Sequence, residues 1–364
     1  MVSSLGLGTL TWGRDTDLEQ ASEQLRMFLD AGGNLLDTAT TYGEGESEKL
    51  IGTLLDEEFS RDDLVICSKA GVRASDPPSV DASRANLLRG LDQTLERLGT
   101  AYIDVWFVHH YDPFVRVEET LTALEMALRS GRARYVGVSN YPAWAMAELA
   151  VLLGQDRYEV AAVQGEYSLV NRQVEEEVLG AAEHFDSSFI AWSPLGRGVL
   201  TGKYQTSIPP DSRAASPHLQ GFVSPYLSAE YQPIIEAVLA GAEGLEWDPL
   251  KLALAWVKDA PGVTSALTGA RSAQQFAAIL KAADAHVPHQ IRVALNEASE
   301  QENWRRLNRL RRPRQSRILR QGSLLVRLGD RRRLRRPRRP RRNRSLRPRP
   351  DTRIRLLVAP DLHG

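Results

Sequence analysis

LLDTATTYGEGESE, residues 35–48, starts as a strand, ends as a helix, and carries an acid and a phenol between them. Asn34–Asp37 predicts a short apolar strand, and Ser47–Leu55 predicts a helix behind a Thr/Gly loop. Asp37 then sits where the strand ends, with Tyr42 five positions on in the loop. An acid there can fix the charge state of a lysine, and a phenol can donate a proton. An unperturbed phenol titrates near pH 10, so it needs a neighbouring cation to serve as an acid at neutral pH. By itself such a tyrosine reads more simply as a packed aromatic. The reading therefore depends on whether other strands end in a lysine and in a group able to orient a carbonyl. Lys69 and His109 answer both requests, although Lys69 by itself reads more simply as a solvated rim lysine.

Outward from this unit the pattern repeats. A first strand within Ser3–Gly13 leads to a helix from Asp17 to Ala31, with Asp15, Thr16 or Asp17 as its cap. Leu64–Ser68 predicts a buried strand ending at Lys69, and Ser83–Leu98 the next helix. Ile103–Val108 ends at His109 and is followed by a helix from Thr120 to Arg129. Ala133–Val138 ends at Ser139-Asn140, after which Pro142 opens a helix to Leu153 at its first position. Val160–Val163 ends at Gln164, with a helix over Val174–Phe185. Phe189–Trp192 ends at Ser193, and a Gly/Pro/Ser-rich insertion runs to about Ser228. Helices over Tyr231–Ala242 and Pro249–Lys258 precede a last strand, Thr264–Leu267, and a last helix, Gln274–Ala283. Eight short apolar strands alternating with helices predict an α/β fold, the closed (β/α)8 TIM barrel, with a long loop after strand 7. A doubly wound sheet would carry phosphate-binding glycines after its first strand, and Gly6, Gly8 and Gly13 have the wrong spacing.

The 364 residues include 42% hydrophobic ones, ordinary for a globular chain, and one cysteine, Cys67. That count excludes a disulfide framework and a multi-cysteine metal site, and fits a reducing, cytoplasmic setting. No apolar run approaches the roughly 20 residues of a membrane span, and the first residues lack a signal-peptide pattern. The net charge of +0 conceals an asymmetry. Residues 305–364 hold 23 of the 46 basic residues, all arginine, against three acids, Asp330, Asp351 and Asp361. Residues 1–304 therefore keep 23 bases against 43 acids. The chain divides into a barrel over 1–304 and an Arg-rich, low-complexity tail over 305–364.

In a barrel the site forms at the C-terminal ends of the strands. Asp37, Lys69, His109, Ser139, Asn140, Gln164, Ser193 and Arg271 all fall at such ends. His109 and His110 are adjacent, so on a strand they would face opposite ways and could not share a metal. The smaller apolar residues that share parity with His109 favour His109 as the inward one. No nucleophile elbow and no metal-ligand spacing is present. An acid, a phenol, a lysine and an imidazole suit proton transfer to a carbonyl oxygen, and such a site needs a redox cofactor as its electron source.

DTATTYGEGESE resembles the aspartate–tyrosine motif of the aldo-keto reductases, VICSK their lysine strand and IDVWFVHHYDP their histidine strand. VGVSNY, VQGEYSLVNR, AWSPLGRGVLTGKY and GARSAQQF resemble their cofactor-binding segments, in the same order, over residues 3 to about 300. The likeness extends to the branch with a long loop after strand 7, which includes bacterial reductases and potassium-channel β subunits. It implies a catalytic tetrad of Asp37, Tyr42, Lys69 and His109. In it Tyr42 is the general acid, acidified by Lys69, Asp37 keeps Lys69 charged, and His109 orients the carbonyl. It also implies NADP(H) as cofactor. Ser139, Asn140 and Gln164 match positions that bind the nicotinamide carboxamide, and Trp192 matches the aromatic under the nicotinamide ring. Leu195, Gly196, Gly198 and Lys203 match the loop over the pyrophosphate. Arg213, Arg271 and Gln275 match positions near the 2′-phosphate and adenine, and Thr9, Ser193 and Gly269 complete the cofactor-binding set. Ala278 and Ile279 replace the usual Glu-Asn pair near adenine, so the adenine contacts differ from the family pattern. The implied activity is NADPH-dependent reduction of a small aldehyde or ketone to an alcohol. The alternative is a cofactor-bound sensing or partner-binding subunit with incidental turnover. Substrate choice is expected to rest on Trp12, Val72–Pro78, Tyr111–Phe114 and the 195–228 insertion.

The tail has no hydrophobic periodicity, and its prolines interrupt any helix, so composition predicts disorder. It reads as an electrostatic arm for nucleic acid, as a segment docking on the acidic body, or as an extension without an evolved role, such as one from a shifted reading frame. Basicity carried by arginine alone favours the last, and nucleic acid is not expected as a partner.

Overall fold

Eight parallel strands close on one another in chain order: β1 (Leu5–Gly8), β2 (Leu35–Asp37), β3 (Val65–Ala70), β4 (Ile103–Val108), β5 (Ala133–Ser139), β6 (Val160–Glu166), β7 (Ser188–Trp192) and β8 (Val263–Thr268). β8 returns to β1 with Leu5 opposite Ala266, which seals the barrel. The structure is a computed structural model that describes residues 1–73, 79–210 and 212–300. The expected disorder of the tail and most of the Val72–Pro78 loop lie outside those residues. Met1–Glu300 form one compact unit. Among the described residues no helix is long and apolar enough to cross a membrane.

Helices α1 (Leu18–Asp30), α2 (Glu46–Glu57), α3 (Arg84–Leu98), α4 (Val117–Arg129), α5 (Ala143–Gln155) and α6 (Val178–His184) each follow a strand. α7 (Gln232–Gly244) and α8 (Pro249–Lys258) precede β8, while α9 (Ala273–Leu280) and α10 (His289–Ala298) follow it. Their starts obey capping chemistry. The side chains of Asp17, Ser83, Asp248 and Ser272 each accept a backbone N–H of the first turn. Asp17 takes the cap of α1, which leaves Asp15 for another task. Pro142 sits one residue earlier than expected, as the extended N-cap of α5. The expected helix over Val174–Phe185 is two pieces, a 3-10 turn at Gln173–Glu175 and then α6. Arg172 grips both oxygens of Glu175 at 2.8 and 2.7 Å and also reaches Ser299 Oγ, which ties the first piece to the chain after α10.

Alternation along the strands produces two apolar layers. Outward residues such as Leu36, Ile66, Trp106 and Val136 join the large cluster under the helices. Inward, Leu35, Cys67, Phe107, Ala162, Ile190 and Leu267 form a second cluster that fills the barrel. β1 and β5 contribute Gly6 and Gly137 instead. A Cβ on either would stand 2.5 Å from an atom of Leu267 or Phe107, so the large neighbours use that space.

Candidate active site

One step of two residues beyond this inward layer stand Gly8, Asp37, Lys69, His109, Ser139, Gln164, Trp192 and Gly269. The apolar filling thus becomes the floor of a polar layer at the strand ends. A cavity of about 670 Å³ opens above it, lined by Asp37, Tyr42, His109, Ser139, Gln164 and Trp192 among others.

Lys69 is 1% exposed and is fully engaged. Its Nζ donates to Asp37 Oδ1 at 2.5 Å, to the Thr38 carbonyl at 2.9 Å and to the Tyr42 hydroxyl at 3.3 Å. The other oxygen of Asp37 accepts from Gln164 Nε2 at 2.8 Å. The solvated-rim alternative for Lys69 is thereby overturned. Burial pulls the lysine pKa down, but Asp37 and the Tyr42 oxygen outweigh it and leave Lys69 raised and charged. For Tyr42 the balance differs from the expectation. Burial raises the phenol, Lys69 lowers it and Asp37 raises it again, and the net shift is upward. Lys69 therefore offsets only part of the cost of burying a phenolate.

The ring of His109 stands edge-on to Tyr42, with centroids 6.2 Å apart. Its Nδ1 is buried without a hydrogen-bond partner. Burial, then the charge of Lys69, then His110 hold its pKa well below 6.5, so the imidazole is neutral. His109 and His110 do not face opposite ways. β4 ends at Val108, and beyond it the two rings stack with centroids 5.2 Å apart, both lining the cavity. Strand alternation stops with the strand.

Around the wall, Asn140 adopts a left-handed φ of 56° and donates from Nδ2 to the His109 carbonyl and to Ser139 Oγ, both at 3.0 Å. Its Oδ1 accepts from Trp192 Nε1 at 3.2 Å. Ser193, Leu195, Gly198, Lys203, Arg213, Gly269, Arg271 and Gln275 also line the cavity, as do Ala278 and Ile279. Lys69 lies behind this wall, and two of the expected cofactor-binding residues do not line it either. Thr9 is fully buried, bonded to the Asp37 carbonyl and to Ser47 Oγ, where it ties the ends of β1 and β2 to α2. Gly196 is buried off the cavity, and a Cβ there would stand 2.7 Å from Val170. Trp12, expected at the substrate mouth, is likewise 0% exposed.

Arg271 is occupied. Its Nη2 donates to Asp15 Oδ1 at 3.1 Å and its Nη1 to the Ser212 carbonyl at 3.2 Å, while Asp15 Oδ2 meets His218 Nε2 at 2.8 Å. The Asp15 carboxylate thus joins the loops after β1, β7 and β8. Arg197, not singled out from sequence, packs on Phe222 and is held by both oxygens of Glu166 at 2.8 and 2.6 Å. Glu48 was also missed. It is 0% exposed and accepts from Ser68, Thr94 and Arg97, whose guanidinium also reaches the Thr40 carbonyl below the Tyr42 loop. Its signal was legible, since Ser47, Glu48, Ile51 and Leu54 share the buried face of α2.

Comparison with known proteins agrees with this geometry. The family model described as the Aldo/keto reductase family matches residues 4–298. The chain is 34% identical over 281 residues to L-glyceraldehyde 3-phosphate reductase of Escherichia coli (strain K12), covering 75% of this chain and 81% of that protein. It is 32% identical over 293 residues to a probable voltage-gated potassium channel subunit beta of Oryza sativa subsp. japonica, covering 78% and 88%. It is 32% identical over 291 residues to aldo-keto reductase YhdN of Bacillus subtilis (strain 168), covering 76% and 84%.

Proposed function

Because the chain belongs to the aldo/keto reductase family and is by that an oxidoreductase of small carbonyl compounds, we propose that it is an NADPH-dependent reductase of an aldehyde or ketone with Tyr42 as general acid. The observation that carries this is the Lys69 ammonium bonded to both Asp37 and the Tyr42 hydroxyl, beside a neutral His109 in the same cavity.

The residues present fit a nicotinamide dinucleotide. The ends of β1 and β8 meet without side chains, and a Cβ on Gly269 would stand 2.5 Å from the Gly8 carbonyl. Ser212 Oγ is buried beside the cavity with no partner, and the cavity extends to Arg213, Arg271 and Gln275. Ser139, Asn140, Gln164 and Trp192 would hold the nicotinamide end, and Lys203 and Arg213 the phosphates. Bound there, the cofactor supplies hydride to the carbonyl carbon.

The protein's part is proton transfer and alignment. As negative charge grows on the carbonyl oxygen, Tyr42 gives up its hydroxyl proton to it. Lys69 stabilises the phenolate left behind, and Asp37, braced by Gln164, keeps Lys69 charged and in place. Neutral His109 donates a hydrogen bond that holds the oxygen toward Tyr42 without competing as a stronger acid. The resting phenol stays protonated through neutral pH, which suits a proton donor.

A partner-binding role, suggested by the names of the channel-subunit relatives, would not require the complete Asp–Tyr–Lys–His set found here. The test is NADPH oxidation by the purified protein over a panel of aldehydes and ketones. Saturable turnover with at least one carbonyl is expected. Tight NADPH binding with no turnover across the panel would favour the partner-binding role.

A further inference from the structure

Behind the Tyr42 loop, outside the barrel, lies a polar cluster that the proposed chemistry leaves unused. Glu48 on α2 is 0% exposed, and its carboxylate is engaged from three sides. Ser68 Oγ and Thr94 Oγ1 each donate to Oε1 at 2.7 Å, and Arg97 Nη1 donates to Oε2 at 2.9 Å. Ser68 precedes Lys69 on β3 and faces outward where Lys69 faces inward. Arg97 Nη1 also donates to the carbonyl of Thr40, two residues before Tyr42, at 3.3 Å. Thr40 in turn donates from its backbone nitrogen and its Oγ1 to the Lys69 carbonyl, both at 3.0 Å. One carboxylate thus holds the strand that carries Lys69 and, through Arg97, the segment that carries Tyr42. That segment passes through left-handed backbone at Gly43, Glu44 and Gly45, and for Glu44 the conformation is strained. Gly45 lies against the Arg97 guanidinium, since a Cβ there would stand 2.3 Å from Arg97 Cζ. A carboxylate taken wholly out of water is costly, and apolar side chains would join α2 to α3 without that cost. What the ion pair adds is direction, because the planar guanidinium fixes where its remaining bonds point.

We propose that Glu48 and Arg97 are positioning residues for carbonyl reduction, which set the 3.3 Å separation of Tyr42 Oη and Lys69 Nζ from outside the barrel. Neither lines the cavity, so they act through the Tyr42 loop and touch neither cofactor nor substrate. This rests on the function proposed above and adds a support behind its general acid.

Three variants of the full chain separate positioning from mere support. Glu48→Gln keeps the volume and a carbonyl for Ser68 and Thr94 but turns an amide toward Arg97. Arg97→Lys keeps a cation beside Glu48 but replaces the fork with a point charge. Thr94→Val removes a donor to the same carboxylate that has no bond to the Tyr42 loop. For each, kcat and KM are measured with a carbonyl that the parent reduces, the Kd for NADPH by tryptophan fluorescence, and the thermal midpoint. In Glu48→Gln and Arg97→Lys kcat should fall about 10- to 100-fold, since a misplacement of about 1 Å can cost roughly 10²-fold, with KM and Kd unchanged. Thr94→Val should lower the midpoint and leave kcat as it was. Oxidation of the corresponding alcohol, in which Tyr42 must take a proton, gives a second readout. Lys69 lowers the phenol's pKa, so separating the two raises it. The rise of the oxidation rate should therefore move to higher pH in Glu48→Gln and Arg97→Lys but not in Thr94→Val. A parent-like kcat in both of those variants, or a kcat that falls in all three in step with the midpoint, overturns the positioning role. Failure of both to fold overturns it as well, since the pair is then a requirement of the fold. A parent that reduces no carbonyl overturns the proposed function, and this role with it.

Discussion

Two corners of the molecule handle their polar groups differently. At the ends of β2 and β3, Lys69 Nζ has three acceptors and both oxygens of Asp37 are taken. In the insertion after β7, Ser212 Oγ and Tyr204 Oη have none. The first corner is complete before any ligand arrives, so its residues are tied into the fold. Substitutions at the first corner should therefore damage stability or turnover.

The most direct way to break this contrast is Tyr42→Phe, which removes the proposed proton donor and keeps the ring. General acid catalysis is worth roughly 10²–10⁴-fold, so kcat should fall by about that factor while the Kd for NADPH stays unchanged. Single-turnover reduction and fluorescence titration read the two separately. A variant that reduces a good aldehyde at the parent rate would remove Tyr42 from the mechanism.

Lys69→Met tests the first corner as structure. It leaves the Asp37 carboxylate buried without its counter-ion, a loss of about 3–5 kcal/mol for a broken buried pair. Urea unfolding should register that loss, and a midpoint equal to the parent's would contradict the account of this corner.

A smaller effect sharpens the role of His109. Folding holds its pKa well below 6.5, so the unfolded chain binds the proton more readily. Stability is then full above pH 6.5 and falls as pH drops below it, by up to about 1.4 kcal/mol per unit. The rate should stay flat through pH 6.5, because the folded imidazole remains neutral there. His109→Asn should flatten the stability curve, and an unchanged slope would place the titration elsewhere.

The smallest expected effect is none. Deleting residues 305–364 should leave cofactor affinity and turnover as they were, since the barrel and both corners lie within Met1–Glu300. Weaker NADPH binding in the shortened chain would give the tail a part in the site.

Much of this was legible in advance where periodicity carries the information. β4 has the bounds expected for Ile103–Val108, and Lys69, Asp37 and His109 converge as strand ends in a closed barrel must. Departures from expectation cluster where periodicity stops. The alternation argument for His109 and His110 failed one residue past β4. Thr9 and Gly196 sit in motif-like loops, yet the structure turns them into the packing. Arg271, expected near a 2′-phosphate, lines the cavity but already holds Asp15.

The sequence alone determined the barrel and the residues at its polar rim, because a repeat of two along a strand fixes which side chains face inward. Only the tertiary structure decided which rim groups are already satisfied. That depends on loops from distant parts of the chain, as when Asp15, His218 and Arg271 meet, or when Glu48 receives Arg97 under the Tyr42 loop. It also decided the net shift on Tyr42, since burial, a cation and an anion oppose one another there and their balance is set by distances that no local pattern encodes.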